Sequence, residues 1–157
     1  MAVKVSQQRD QGVMTDNVKL ISMILLSVSL FFSVLFFTSF QILKSSTQIG
    51  VESDDSYFFV FLVTMTALTL SVIAMEFYHP RHRALAMLKY ATIVGNAVFI
   101  GFVIHELSKG YAVLLTEDDN LGQDATVYTY AALATGFAGI GTLLAVLHNF
   151  HGIVGAV

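Results

Sequence analysis

Histidines and one glutamate are grouped at two points of the chain, with spacings that could bind a metal ion. His79 and His82 form one H-x-x-H pair, His148 and His151 form a second, and Glu76 precedes His79 by one helical turn. Imidazole nitrogens and carboxylate oxygens are common ligands of zinc, iron and copper. If the fold brings the two segments to the same end of the molecule, these five residues form a candidate metal site.

Two features argue against a complete metal site. Pro80 lies between His79 and His82, so this pair cannot share one regular helical face, whereas His148 and His151 can. The Glu76-x-x-His79 spacing is also that of carboxylate-bridged di-iron bundles, but such sites need a second copy of the motif and two more glutamates. We therefore predict no cofactor. The preferred interpretation is that the histidines lie at the membrane interface and pair with headgroups, with Glu76 or with a neighbouring subunit, and a bound metal ion is the alternative.

Asn96 is a polar residue near the middle of an apolar stretch. An amide without a hydrogen-bond partner is costly at such a position. The sequence therefore predicts a hydrogen bond between Asn96 and a Ser or Thr of a neighbouring helix, such as Thr66, Thr69 or Thr135.

Four stretches without Asp, Glu, Lys or Arg must position these groups, and they cover residues 20–43, 56–75, 90–105 and 125–157. A hydrocarbon core of about 30 Å needs roughly 20 apolar helical residues to cross it. The third stretch is shorter, but Lys89 and Glu106 at its ends have side chains long enough to reach the headgroups. We predict one membrane domain over residues 1–157, with a polar N-terminus (1–18) and spanning helices at 19–43, 56–79, 84–108 and 125–151.

Composition supports this prediction and excludes several function classes. Hydrophobic residues make up 55% of the chain and charged residues 12%, about half the charged share of a typical globular domain. The chain has no cysteine, so disulfides and thiolate metal sites are excluded. It has no G-x-S-x-G, Walker, H-E-x-x-H or dinucleotide-binding motif, so we expect no catalytic activity of its own and no nucleic-acid partner.

The basic residues predict the orientation of the bundle. With both termini inside, the inner side carries six basic residues and the outer side carries two, Lys44 and Lys109; the inner six are Lys4, Arg9, Lys19, Arg81, Arg83 and Lys89. This asymmetry follows the positive-inside rule. The predicted fold is an all-α integral membrane protein, an up-down bundle of four transmembrane helices with both termini on the inner, cytoplasmic side.

Small residues predict where the helices pack. The hydrophobic effect does not drive helices together among lipid tails, so close packing between small residues becomes important. We expect the third and fourth helices to pack closely through a set of small and polar residues: Ala91, Gly95, Asn96, Gly101, Gly136 and Gly139. The first helix instead carries bulky groups that we expect to face lipid or another subunit: Phe31, Phe32, Phe36, Phe37 and Phe40.

Three hypotheses about function follow. The leading one is a non-catalytic accessory or structural transmembrane subunit of a larger membrane complex, for example a respiratory or other membrane oxidoreductase complex. The second is a homo-oligomeric small channel or carrier lined by Ser, Thr and Asn96. The third is a metal-binding membrane protein that uses the inner histidines. The expected partners are the lipid bilayer and other membrane subunits.

Overall fold

The described part of the chain is helical and contains no strand. The computed structural model describes the backbone of residues 2–46, 53–78, 81–114 and 121–156, and the side chains of 16–42, 59–78, 81–109 and 126–155. Its helices are α1 (Ala2–Ser46), α2 (Ser53–Phe77), α3 (Arg83–Leu114), α4 (Leu121–His148) and the short α5 (Phe150–Ala156). The first four are the long helices of the molecule.

Each long helix contains a segment that is long and apolar enough to cross a membrane. The segments are Asp16–Ile42, Phe59–Phe77, Arg83–Lys109 and Thr126–His148. The prediction of an all-α fold with four such helices is confirmed. The helices themselves extend beyond these segments, and α1 begins at Ala2, so the polar residues 2–18 continue the first helix. The second helix ends at Phe77, shortly before Pro80, whose ring and missing N–H do not fit a continuing helix.

Neighbouring helices run antiparallel. Two serines of α1 donate hydrogen bonds to backbone carbonyls of α4, Ser22 to Gly141 and Ser29 to Ala134, each over 2.7 Å. Residue numbers rise along α1 as they fall along α4, so the two helices point in opposite directions. The same relation holds between α2 and α3, where Glu76 lies near Lys89 and Phe61 near Phe99. It also holds between α3 and α4, where Asn96 lies near Thr142 and Ile100 near Gly139. The four long helices therefore form a closed set of neighbours in the order α1, α2, α3, α4.

The interface between α1 and α4 is the most extensive helix contact in the structure. Buried residues recur along each of these helices at alternating steps of four and three residues: Ser22, Leu26, Ser29, Ser33 and Phe36 on α1, and Val127, Ala131, Ala134, Ala138, Gly141 and Ala145 on α4. Such spacing keeps one face of a helix against its partner. Small side chains on both faces let the two backbones approach closely.

The prediction that the phenylalanines of α1 face outward is wrong for most of them. Phe36 is fully buried in the main apolar core. Phe32 stacks on Phe137 of α4 with ring centroids 5.7 Å apart, and Phe40 stacks on Phe59 of α2 at 5.0 Å. Phe31 is the clear outward-facing member, with 60% of its surface exposed. Ser22, Ser29 and Ser33 lie on the buried face of α1, and this orientation of the helix turns the rest of the aromatic set toward α4 and α2.

The buried apolar side chains form two clusters at different heights in the bundle. The larger cluster consists of Phe36, Leu62, Met65, Ile100, Val103, Leu107, Val127, Ala131, Ala134 and Ala138. The smaller one consists of Leu26, Val72, Ile93 and Ala145, and lies toward the end where α2 ends and α3 begins. We call this end the α2–α3 end. It also holds the polar groups described next.

Candidate functional site

A buried carboxylate is the centre of the polar site. Glu76 lies in the last turn of α2, and 1% of its surface is exposed. Its Oε1 accepts a hydrogen bond of 2.6 Å from the side-chain amide of Asn149, which lies between α4 and α5. The same amide nitrogen donates to the carbonyl of Ala145 over 2.8 Å, which fixes its orientation. The C-terminal end of α4 is thereby joined to the C-terminal end of α2.

Two further side chains flank the carboxylate without reaching hydrogen-bond distance. Lys89 Nζ of α3 lies 3.8 Å from Glu76 Oε1, and His148 Nε2 of α4 lies 3.9 Å from Glu76 Oε2. These side chains keep 12% and 17% of their surface exposed, so they connect the buried carboxylate with the exterior. We call Glu76, Lys89, His148 and Asn149 the Glu76 cluster. It brings together the ends of three helices.

A second polar layer lies deeper in the bundle. Asn96 Nδ2 of α3 donates a hydrogen bond of 3.0 Å to Thr142 Oγ1 of α4, and both residues are fully buried, as is Thr69 of α2. Thr69 and Asn96 lie seven positions from Glu76 and Lys89 on the same helices, and Thr142 lies seven positions before Asn149, which directly follows α4. Seven residues make about two helical turns, or roughly 10 Å. We call Thr69, Asn96 and Thr142 the Asn96 layer.

The buried residues of α2, α3 and α4 between the two layers are apolar, and on α1 the buried Ser22 donates its hydrogen bond to the carbonyl of Gly141. Val72, Ile93 and Ala145 each lie four positions from a member of the Glu76 cluster, and they pack with Leu26 of α1 in the smaller apolar cluster. The interior at the α2–α3 end thus alternates between a polar layer, an apolar layer and a second polar layer. Beyond the Asn96 layer lies the larger apolar cluster.

Both polar layers have spare hydrogen-bonding capacity. Four buried side-chain atoms of the described residues have no hydrogen-bond partner, namely Thr69 Oγ1, Glu76 Oε2, Asn96 Oδ1 and His148 Nδ1. Elsewhere in the core, buried hydroxyls such as those of Ser33 and Thr135 donate to carbonyls of their own helix. Buried polar atoms without a partner are uncommon, since each costs roughly 1–3 kcal/mol. All four of these atoms belong to the Glu76 cluster or to the Asn96 layer.

The candidate metal ligands are only partly brought together. Glu76 and His148 are neighbours, whereas His82 and His151 are exposed. His79 lies outside the described residues. In the ranges that the structure describes, no group of three or more His, Asp or Glu side chains is placed to hold a metal ion. A metal ion beside Glu76 and His148 would need ligands from outside those ranges or from another chain.

The predicted packing residues divide into two groups. Asn96 and Gly139 lie where α3 meets α4, and a Cβ added at Gly139 would contact Ile100 Cγ2 at 3.5 Å. Gly95, Gly101 and Gly136 are exposed, and a Cβ added at any of them would meet no atom within 4 Å. Ala91 is exposed as well. Among the described residues, these four lie on the exposed surface rather than in the contact between α3 and α4.

Several residues of the site differ from those that the sequence predicts. Lys89 and Asn149 are partners of Glu76, and the actual partner of Asn96 is Thr142 rather than Thr66, Thr69 or Thr135. The recurrence of polar residues at a step of seven on α2, α3 and α4 is a signal that could have found them.

Gly152 of α5 was missed too. It lies against Tyr90, and any added Cβ would overlap the tyrosine hydroxyl.

We expect the Asn96–Thr142 hydrogen bond to contribute measurably to stability. The variants Asn96→Ala and Thr142→Ala should each lower the free energy of unfolding. The double variant should lower it by less than the sum of the two single losses, and the difference is a coupling energy of about 0.5–2 kcal/mol. Unfolding in detergent of the four proteins of this cycle measures the coupling directly. A coupling energy of zero would show that the two side chains do not interact in the folded protein.

The chain matches no protein-family model, no curated protein and no solved structure.

Proposed function

We propose that the chain is a multi-pass membrane protein that works as a non-catalytic subunit of a larger membrane complex. The observation that carries the proposal is the outer face of α3, which combines small and bulky apolar residues and is exposed in the part of the chain that the structure describes.

The outer surface of the four long helices is apolar. Large hydrophobic side chains are more than half exposed on every long helix, including Ile24 on α1, Leu70 on α2, Val98 on α3 and Leu143 on α4. Soluble monomers rarely expose apolar patches of such extent. Lipid tails or the apolar faces of other membrane helices would cover this surface, which supports insertion of the bundle in a membrane.

The outer face of α3 has the pattern of a helix-docking surface. The exposed residues Ala91, Val94, Gly95, Val98, Gly101 and Phe102 lie on one side of the helix. Glycine lowers helix stability by about 1 kcal/mol relative to alanine, and a lipid contact gives no compensating gain. Glycines on such a face do let the backbone of another helix approach closely. We assign this face to a transmembrane helix of a different polypeptide.

The interior supports a subunit more than a pore through the single chain. Between the Asn96 layer and the opposite end, the core is filled by large apolar side chains, among them Phe36, Leu62 and Met65. Ions would have to lose their hydration to pass such a region, and the buried hydroxyls described there, on Ser29, Ser33 and Thr135, already donate hydrogen bonds to backbone carbonyls. A channel would therefore have to run between several copies of the chain.

We expect both termini to lie on the inner side of the membrane. The basis is the excess of basic residues at the N-terminus and in the α2–α3 connection. A reporter fused after Val157 should be cytoplasmic, and a reporter inserted at Asn120 should be external. Finding both reporters on the same side would contradict a four-span topology.

Site-specific photo-crosslinking tests the proposed docking face. A photoreactive residue at Val98, on the outer face of α3, should form adducts with a different polypeptide in the native membrane. The control position is Leu70 of α2, because both side chains are 57% exposed. We expect Leu70 to give mainly lipid adducts. Lipid adducts alone at Val98, or adducts with a second copy of the chain, would contradict the proposed partner.

A further inference from the structure

We propose that the Asn96 layer is a binding site for one water molecule, which joins Thr69 of α2 to Asn96 of α3 and fixes the height of α2 in the bundle. The site is formed around Thr69 Oγ1 and Asn96 Oδ1, two fully buried atoms without a hydrogen-bond partner. The water site is independent of the proposed subunit role, and either can fail without the other.

Thr69 differs from the other hydroxyl residues of α2 whose side chains are described. Thr64, Thr66 and Ser71 each donate a hydrogen bond to the carbonyl four positions earlier in the same helix. Thr69 is fully buried, and its hydroxyl forms no such bond with Met65. Buried hydroxyls are normally paired, so a partner for Thr69 is expected from the interior of the bundle or from a bound molecule.

Asn96 lies at the same height as Thr69 on the neighbouring helix. Lys89 Nζ of α3 lies 3.8 Å from Glu76 Oε1 of α2. Thr69 precedes Glu76 by seven positions, and Asn96 follows Lys89 by seven positions. Because α2 and α3 are antiparallel, both steps lead about two turns in the same direction along the bundle. Both residues are fully buried, so their side chains share one layer of the interior.

The hydrogen-bonding groups of this layer are those that a water molecule needs. A water can accept the hydrogen of the Thr69 hydroxyl and donate to Asn96 Oδ1, so that one molecule pairs both atoms. Thr142 offers a third partner, because its hydroxyl accepts a hydrogen bond from Asn96 Nδ2 and donates in none of the described hydrogen bonds. Buried waters in proteins typically form about three hydrogen bonds.

The surroundings of the layer favour water over an ion or a larger ligand. Thr69, Asn96 and Thr142 are uncharged, and a cation there would lose its hydration to a few neutral oxygens. Buried apolar side chains lie three or four positions before and after these three residues: Met65, Val72, Ile93, Ile100, Ala138 and Ala145. They close the layer on both sides along the bundle axis. The site therefore suits a single, small, neutral molecule.

A water at this position would connect α2 to the bundle at depth. The described side chains of α2 form one other hydrogen bond outside their own helix, between Glu76 and Asn149 at the end of the helix. Apolar layers pack in more than one register, whereas a polar layer within an apolar core favours one register. The water would thus hold Thr69 opposite Asn96 and set the position of α2 along the bundle axis.

A crystal structure of the full-length protein in a lipid phase, at a resolution that shows ordered water, tests the site. We expect one water oxygen within about 3.2 Å of both Thr69 Oγ1 and Asn96 Oδ1. Clear density for the side chains of the layer without this water would overturn the proposal. A Thr69 hydroxyl bound to the carbonyl of Met65 would overturn it as well.

Thermal unfolding of two valine variants gives an independent test. Thr69→Val removes the hydroxyl with little change in shape, and it should lower the unfolding midpoint by about 2–4 °C, because the water and Asn96 Oδ1 lose a shared partner. Thr135→Val is the matched control. Thr135 is also fully buried, but its hydroxyl donates to the carbonyl of Ala131 in its own helix. The control should lower the midpoint by less.

A rise of the midpoint in Thr69→Val would show that the hydroxyl is unpaired in the folded protein, and would contradict the water site. A fall no larger than that of Thr135→Val would contradict it too. The crystallographic test uses the wild-type protein, so it stays decisive if a variant does not fold.

Discussion

Gly141→Leu should separate α1 from α4, whereas Gly136→Leu on the same helix should leave the bundle intact. A Cβ at Gly141 would lie 2.9 Å from Leu26 Cγ and Cδ2 and 3.1 Å from the Leu26 backbone nitrogen. Backbone atoms cannot move aside unless the two helices move apart. Even Gly141→Ala should destabilise the protein by about 1–3 kcal/mol, the usual cost of overpacking. The larger side chain of Gly141→Leu should destabilise the protein further.

Gly136 is the matched control because an added Cβ there would meet no atom within 4 Å. Its replacement by alanine should be neutral or slightly stabilising, since alanine has the higher helix propensity. Thermal unfolding in detergent, followed by circular dichroism, compares the variants. Equal effects at the two glycines would show that α1 does not pack on this face of α4.

Lys89→Met should destabilise the protein by about 3–5 kcal/mol at neutral pH, because it removes the cation beside a buried carboxylate. The double variant Lys89→Met with Glu76→Leu should recover most of this loss, because it removes the buried charge as well. The free energy of unfolding of the single and double variants gives both values. The comparison measures how much of the cost comes from the unpaired charge.

The control is the second lysine–glutamate pair. Lys109 and Glu106 are closer, at 2.9 Å, but their side chains are 59% and 37% exposed. Ion pairs of this kind contribute about 0–1 kcal/mol, so Lys109→Met should have little effect. If Lys109→Met were as costly as Lys89→Met, burial of Glu76 would not be the source of the effect. If the Lys89→Met single variant were harmless, the Glu76 cluster would not stabilise the fold.

The four long helices were predictable because their signal is local. Charged residues are absent from the spanning stretches, and each stretch is about as long as a bilayer is thick. The inward faces of the helices were much less predictable. Lipid-facing and buried positions of a membrane helix are both apolar, so hydropathy does not separate Phe31 from Phe36. The same limit applies to glycine, since Gly141 is buried in an interface and Gly95 is exposed.

The polar site was predictable in part, and for a physical reason. Polar side chains inside a membrane protein need partners, so Glu76 and Asn96 stood out from their apolar surroundings. Their partners depend on the relative heights of the helices, which the sequence does not give. Asn149 reaches Glu76 only because α4 ends beside α2, and Thr142 reaches Asn96 because α3 and α4 are antiparallel at this height.

The mass and composition of the particle that carries this chain test the central proposal most directly. Native mass spectrometry after gentle extraction from the membrane of origin would identify every polypeptide in that particle. We predict that the chain is found together with larger, different polypeptides. A clean monomer would contradict the subunit proposal. A ring of identical copies that conducts ions in a planar bilayer would also contradict it, and would favour the channel hypothesis.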